Sequence, residues 1–231
     1  MGLSFQEERQ MEKKRNIAWL TIGFVGIMAG CFCVNVFNRY VLISLPLAAR
    51  MISMIAVYWL IALVPIIIMA CNKTKLSALG FSKEDLFAQV IVGVAIAAVT
   101  SVVFTLIPHV AGFGDWVDNG RRYKFLWQFL YEFIQCIIAI GAVEEYVFRG
   151  FLYAMLKDIF GKEWVSVLIS SVLFGLFHIF GGSIVQIFMT MCIGVLWCLL
   201  KLKIKHCSLL SLIIAHGIYD ALITVWASFL M

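Results

Sequence analysis

Residues Ala142 to Gly150 read A-V-E-E-Y-V-F-R-G, placing two carboxylates and a guanidinium inside a run that is otherwise almost wholly apolar from Phe133 to Leu156. One ionisable group near the centre of a bilayer costs about 2.5 to 3.5 kcal/mol on insertion scales. Such a cluster persists only where partners satisfy it. Two later apolar runs carry isolated polar residues of their own: His178 in S-S-V-L-F-G-L-F-H, and His216 with Asp220 in I-I-A-H-G-I-Y-D. The three runs are expected to meet and enclose one buried polar site.

Outward from this stretch, the composition sets the environment. Of 231 residues, 63% are hydrophobic and 13% charged, with three prolines; soluble domains are nearer one half and one quarter. The apolar runs are close to 20 residues long and do not alternate with a period of two, so helices rather than barrel strands do the spanning. The expected fold is therefore an all-α integral membrane protein, a polytopic bundle of about seven transmembrane helices around a buried polar site. The formal net charge of +5 does not indicate nucleic acid, because the basic residues fall at the ends of the apolar runs and report topology in a lipid bilayer. Seven cysteines, an odd number, are scattered mostly within apolar runs. Cys31-x-Cys33 is no zinc spacing, and buried free cysteine behaves as a small hydrophobe.

A single membrane domain covers the chain: a polar N-terminal segment (1–16), three scaffold spans (17–108) and a core of further spans (124–231). The first run, Ile17 to Val36, is longer than a signal-peptide core and has no small-x-small cleavage site, so it stays as a span. The second is Met51 to Cys71. A basic, turn-rich loop from Asn72 to Asp85 leads to the third, Leu86 to Ile107, with Ser82 expected as its cap and Asp85 three residues later. After a polar loop from Gly112 to Arg122 come a long helix from Lys124 to Phe160 broken at Gly161, a span from Trp164 to Phe180 ended by Gly181-Gly182, one from Ile184 to Leu200, and a last from Ser208 onward. Trp127 and Trp164 near span ends suit interface anchoring, while His109 and His206 fall at span ends or in loops.

With the N-terminus in the cytoplasm, that side holds Arg9, Lys13, Lys14, Arg15, Lys73, Lys75, Lys83, Lys157, Lys162, Lys201, Lys203 and Lys205. The other side holds Arg39, Arg50, Arg121, Arg122 and Lys124. Twelve against five favours a cytoplasmic N-terminus. The compact form points to a bacterial cell membrane.

Helical rise of ~1.5 Å per residue puts Glu144 roughly 18 Å, His178 roughly 20 Å, His216 about 12 Å and Asp220 about 18 Å from the cytoplasmic boundary. All four fall in one layer of a ~30 Å hydrocarbon core. Helical phase then sorts them. Glu145 and Arg149 are four apart with the acid first, the favourable order for a neutralising pair. Glu144 is turned about 100° away and needs a partner across helices, with His178 the nearest candidate by depth. His216 and Asp220 again share a face.

These residues resemble the CAAX-processing and bacteriocin-processing family of intramembrane proteases, which includes the type II CAAX prenyl endopeptidases. The family's E-E-x-x-x-R is matched by Glu144-Glu145-x-x-x-Arg149, its F-x-x-x-H by Phe174-x-x-x-His178, and its H-x-x-x-N/D by His216-x-x-x-Asp220. The resemblance covers roughly Phe125 to Trp226 and leaves the first three spans with a scaffold role. It implies an endopeptidase that cuts a hydrophobic, lipidated or small precursor peptide. Glu144 and His178 would activate water, His216 and Asp220 would stabilise the oxyanion, and Glu145 with Arg149 would hold the helix and tune the field. Oxyanion donors in a dry site are worth about 2.7 to 4 kcal/mol each. Asp220 stands where some members have Asn, and a carboxylate donates a hydrogen bond only when protonated. It either donates in that form or orients His216 as an ionised partner.

Glu144, His178 and His216 are also suitable zinc ligands, and three protein ligands with a water form a catalytic zinc pattern. No H-E-x-x-H is present. Metal-free water activation by glutamate is the reading preferred, with Zn2+ on those three residues as the alternative. Two rival functions keep the same residues: a catalytically silent immunity or scaffold protein that binds a peptide or partner protein, and an ion- or proton-coupled carrier. The carrier is the weaker rival, since no inverted repeat is visible. Oligomeric state leaves no mark in the sequence.

Overall fold

The computed structural model describes residues 5–118, 120–180 and 183–230, and among them the chain forms helices and no strand. α1 runs from Phe5 to Tyr40, so the polar N-terminal stretch and the first apolar run share one helix. Then follow α2 (Leu47–Tyr58) and α3 (Leu60–Cys71), α4 (Leu86–Val110) and α5 (Leu126–Phe160), α6 (Glu163–Phe177), α7 (Ile184–Lys203) and α8 (Leu209–Leu230). Six segments are long and apolar enough to cross a membrane, α2 and α3 together making one of them, and α6 is a shorter apolar helix. The expected all-helical bundle of about seven spans is the architecture observed. The Gly181-Gly182 stop lies outside the described residues.

Two local points refine the reading. The second span crosses as one segment, Leu47–Cys71, but its helix is interrupted at Trp59, where Trp59 N–H bonds Ala56 O at 3.3 Å and Ala62 N–H bonds Trp59 O at 3.1 Å. These three-residue bonds tighten the chain, and Pro65 in α3 withholds a further donor. α1 lies directly on the break. A Cβ at Gly30 would come 2.5 Å from Leu60 O and 2.7 Å from Ile61 Cα, so only glycine permits that approach. The second point, a correction, concerns the cap of α4. Asp85 Oδ1 accepts from Ala88 N–H at 3.1 Å, whereas Ser82 Oγ accepts from Glu84 N–H. With the helix starting at Leu86, Ser82 is too early in the chain to reach its free donors.

α5 is the central element. Val143, Val147, Phe148, Phe151 and Leu152 are buried on it and pack with Ile27 and Cys31 of α1, Ile61 of α3 and Phe174 of α6. Outward-facing residues such as Phe32, Ile52, Phe87, Val99 and Phe188 stay exposed; in a bilayer that apolar rim faces lipid, which supplies no polar partners.

α5 is also irregular where it matters. Cys136–Gly141 and Tyr146–Leu152 are wound as π-helix, enclosing one α-helical turn, Ala142–Glu145. Wide turns of this kind are frequent at functional sites. Beside the first of them α8 comes into backbone contact: a Cβ at Gly141 would lie 2.7 Å from Ile213 O and 2.9 Å from Gly217 N. The glycine pair brings His216 against the two glutamates.

Candidate active site

Glu145 and Arg149 form the predicted pair, with Arg149 Nη1 donating to Glu145 Oε1 at 2.9 Å and both side chains buried. The same oxygen receives a second bond, from His216 Nδ1 at 2.8 Å. A carboxylate opposite a guanidinium accepts, so Nδ1 carries the hydrogen and Nε2 turns away from Glu145. Glu145 therefore does more than neutralise an arginine: it fixes the His216 ring. His216 Nε2 then lies 3.4 Å from Asp220 Oδ2 and 3.7 Å from Glu144 Oε2, both long for hydrogen bonds.

Aromatic rings wall this pair. The Arg149 guanidinium carbon sits 4.0 Å from the centroid of Phe174 and 5.6 Å from that of Trp197. Such contacts are worth about 2 kcal/mol or more where water is excluded. Phe174 also meets the edges of His178 (5.1 Å) and His216 (6.0 Å), and Trp197 meets His216 at 4.9 Å. Phe174 is thus the floor shared by three polar site residues, Arg149, His178 and His216.

Glu144 finds a different partner from the one expected. The Tyr58 hydroxyl, at the end of α2, donates to Glu144 Oε1. No hydrogen bond joins Glu144 to His178 among the described residues, although both face the same cavity. Glu144 Oε2 is buried and has no hydrogen-bond partner there. His178 follows the last residue of α6, whose 15 residues reach about 22 Å, short of a full crossing. Its Nδ1 lies 2.9 Å from Phe174 O. A carbonyl only accepts, so in the neutral ring Nε2 is the free base.

These groups open on one cavity of about 540 Å3, lined by Tyr58, Glu144, Phe174, His178, His216 and Asp220 at one end and by Asp118, Arg121 and Glu132 at the other. The far end is a second polar cluster that sequence reasoning missed. Glu132 is buried and accepts from Arg121 Nη1 at 2.5 Å and Thr224 Oγ1 at 3.1 Å on Oε1, and from the Tyr123 hydroxyl at 2.9 Å on Oε2. Burial, and the Glu132 charge beside it, push the Tyr123 phenol up to about 12, so it remains a donor. The signal for Glu132 was a lone carboxylate in L-W-Q-F-L-Y-E-F-I. Lys201, read only as a topology charge, donates from Nζ to Arg149 O at 2.9 Å. His109 and His206 do not line this cavity, and all seven cysteines are free.

Among the described residues no three His, Cys, Asp or Glu side chains converge as a ligand set for a metal ion. Glu144 Oε1 is engaged by Tyr58, and both imidazole Nδ1 atoms are tied to protein oxygens. That leaves Glu144 Oε2 and the Nε2 atoms of His178 and His216 as the atoms that could meet a reacting water or an ion.

The fold and site define a helical membrane protein with a carboxylate and imidazole centre facing an internal cavity. Residues 125–222 match the family model described as type II CAAX prenyl endopeptidase Rce1-like. Over this stretch, less than half of its length, the chain is similar to the type II CAAX prenyl endopeptidases. The matched stretch includes Glu144, Glu145, Arg149, His178, His216 and Asp220 and excludes Tyr58. No curated protein and no solved structure matches the chain.

Proposed function

We propose that the protein is an intramembrane endopeptidase that hydrolyses a peptide bond in a hydrophobic, lipidated or small precursor peptide, using water activated by Glu144 and His178. The observation that carries this reading is the free acceptor pair. Among the described residues Glu144 Oε2 has no hydrogen-bond partner, and His178, whose Nδ1 lies against Phe174 O so that the neutral ring accepts at Nε2, lines the same cavity. A water between them would lose its proton to one of them as it attacks the scissile carbonyl, and that proton would then pass to the leaving amine. His216 and Asp220 face the same space for the oxyanion. With Nδ1 donating to Glu145, His216 can donate from Nε2 only as the doubly protonated ring, for which the Glu145 carboxylate is the counter-charge.

The apolar walls, among them Phe104, Ile140, Met189, Ile193 and Ile223, suit hydrophobic side chains. The excess of Lys and Arg on one side of the spans supports a cytoplasmic N-terminus. Water activation proceeds in this reading without a metal. The test is cleavage of a fluorogenic hydrophobic peptide by the detergent-purified protein and by Glu144→Gln, each with and without a chelator. Cleavage by wild type only, unchanged by the chelator, is expected. Loss on chelation with rescue by zinc would overturn the metal-free route. Equal inactivity of both proteins across a peptide library, while both bind a partner protein, would replace the protease reading with a binding role.

A further inference from the structure

The first three spans carry none of the motif residues, and residues 125–222 are the part that matches the family model. Yet the hydroxyl that bonds Glu144 Oε1 comes from Tyr58. We infer that Tyr58 is a positioning residue for the reaction. It holds one oxygen of Glu144 so that the other, Oε2, is aimed at the cavity, which makes the N-terminal half part of the active centre. The inference rests on the protease reading, with Glu144 as the water-activating carboxylate.

Three observations converge. A glutamate has three side-chain torsions, and in a cavity of about 540 Å3 an untethered carboxylate would sample several orientations. Tyr58 removes that freedom, with the charge-assisted class of hydrogen bond, the stronger kind. Next, the two oxygens of Glu144 differ: Oε1 is occupied by Tyr58, whereas Oε2 has no hydrogen bond among the described residues and lies 3.7 Å from His216 Nε2. The tether therefore selects which oxygen meets water. Finally, the fold places Tyr58 by specific devices. It is the last residue of α2, immediately before the break at Trp59, and Gly30 lets α1 lie against that break. Separately, the Tyr131 hydroxyl of α5 bonds Met51 O at 2.8 Å, a packing contact about two turns of α2 before Tyr58 and away from Glu144.

The experiment compares wild type with Tyr58→Phe, using Tyr131→Phe as a control that loosens the same helix contact without touching Glu144. Steady-state cleavage of the fluorogenic peptide gives kcat and KM. Thermal melts of wild type, Tyr58→Phe, Glu144→Gln and the double variant give the coupling between the two side chains. Tyr58→Phe is expected to lower kcat about 10- to 100-fold, the loss of one charge-assisted bond in the transition state, with KM within about twofold. Tyr131→Phe is expected to keep kcat within about twofold while lowering the melting temperature, because its bond serves packing alone. The melts should be non-additive for the Tyr58 and Glu144 pair. Wild-type kcat in Tyr58→Phe, an equal kcat loss in Tyr131→Phe, or additive melting shifts would overturn the inference. The melting cycle needs no substrate, so a failure of the wild type to cleave would sink the protease reading while the Tyr58 to Glu144 bond is still judged by the melts.

Discussion

Two buried carboxylates on α5, Glu132 and Glu144, stand twelve residues apart, roughly 18 Å along one helix axis, and open on one cavity. They are dressed in opposite ways. Glu132 is saturated: a guanidinium, a phenol and a threonine hydroxyl reach its two oxygens. Glu144 is held on one oxygen by Tyr58 and left without a hydrogen bond on the other. A satisfied buried carboxylate strengthens the fold, because its desolvation is offset by partners. An oxygen left unsatisfied beside a cavity is costly to keep, and it is there that a reacting water can bind. On the proposed reading, Glu132 serves structure and Glu144 serves the chemistry.

The sharpest way to break the comparison is to neutralise the free oxygen. Glu144→Gln keeps the shape and removes the base; we expect kcat to fall about 10^2- to 10^4-fold with the melting temperature little changed, read by peptide cleavage and a thermal melt. Next in size is Arg149→Met, which strands Glu145 as a buried charge without its guanidinium and empties the space over Phe174. It should cost about 3 to 5 kcal/mol of stability, seen as a large fall in melting temperature. Glu132→Gln tests the other end. Arg121 is 38% exposed and keeps access to water, so the cost is a smaller ~1 to 3 kcal/mol, with cleavage kept within about threefold once the protein is folded. Thr224→Val removes one neutral donor from Glu132 and should cost about 1 kcal/mol, again without loss of kcat.

Much of this was legible in the sequence, and what was missed has physical reasons. The run lengths and lack of a period of two gave the helices, and the four-residue spacing gave the Glu145 to Arg149 pair. Depth arithmetic also grouped Glu144, His178, His216 and Asp220. Depth, however, orders residues along the membrane normal and says nothing of their angle around the bundle. That is why Tyr58, which bonds Glu144 directly, was not foreseen as its partner. The same limit hid Glu145 as the partner of His216 Nδ1, since that contact depends on Gly141 and Gly217 letting α5 and α8 touch. The break at Trp59 lay in an unbroken apolar run whose only mark was Pro65. Lys201 looked like a loop charge because a bond to a backbone carbonyl, Arg149 O, leaves no pattern in side-chain spacing. Glu132 did carry a signal, a single acid in an apolar run, but two of its donors, Arg121 and Tyr123, come from the preceding loop and the third, Thr224, from α8.

The most direct measurement sets the two carboxylates against each other: cleavage of one fluorogenic hydrophobic peptide by wild type, Glu144→Gln and Glu132→Gln, each shown to be folded by its melt. The account predicts cleavage by wild type and by Glu132→Gln and none by Glu144→Gln. Wild-type cleavage by folded Glu144→Gln, or none by folded Glu132→Gln, would contradict it.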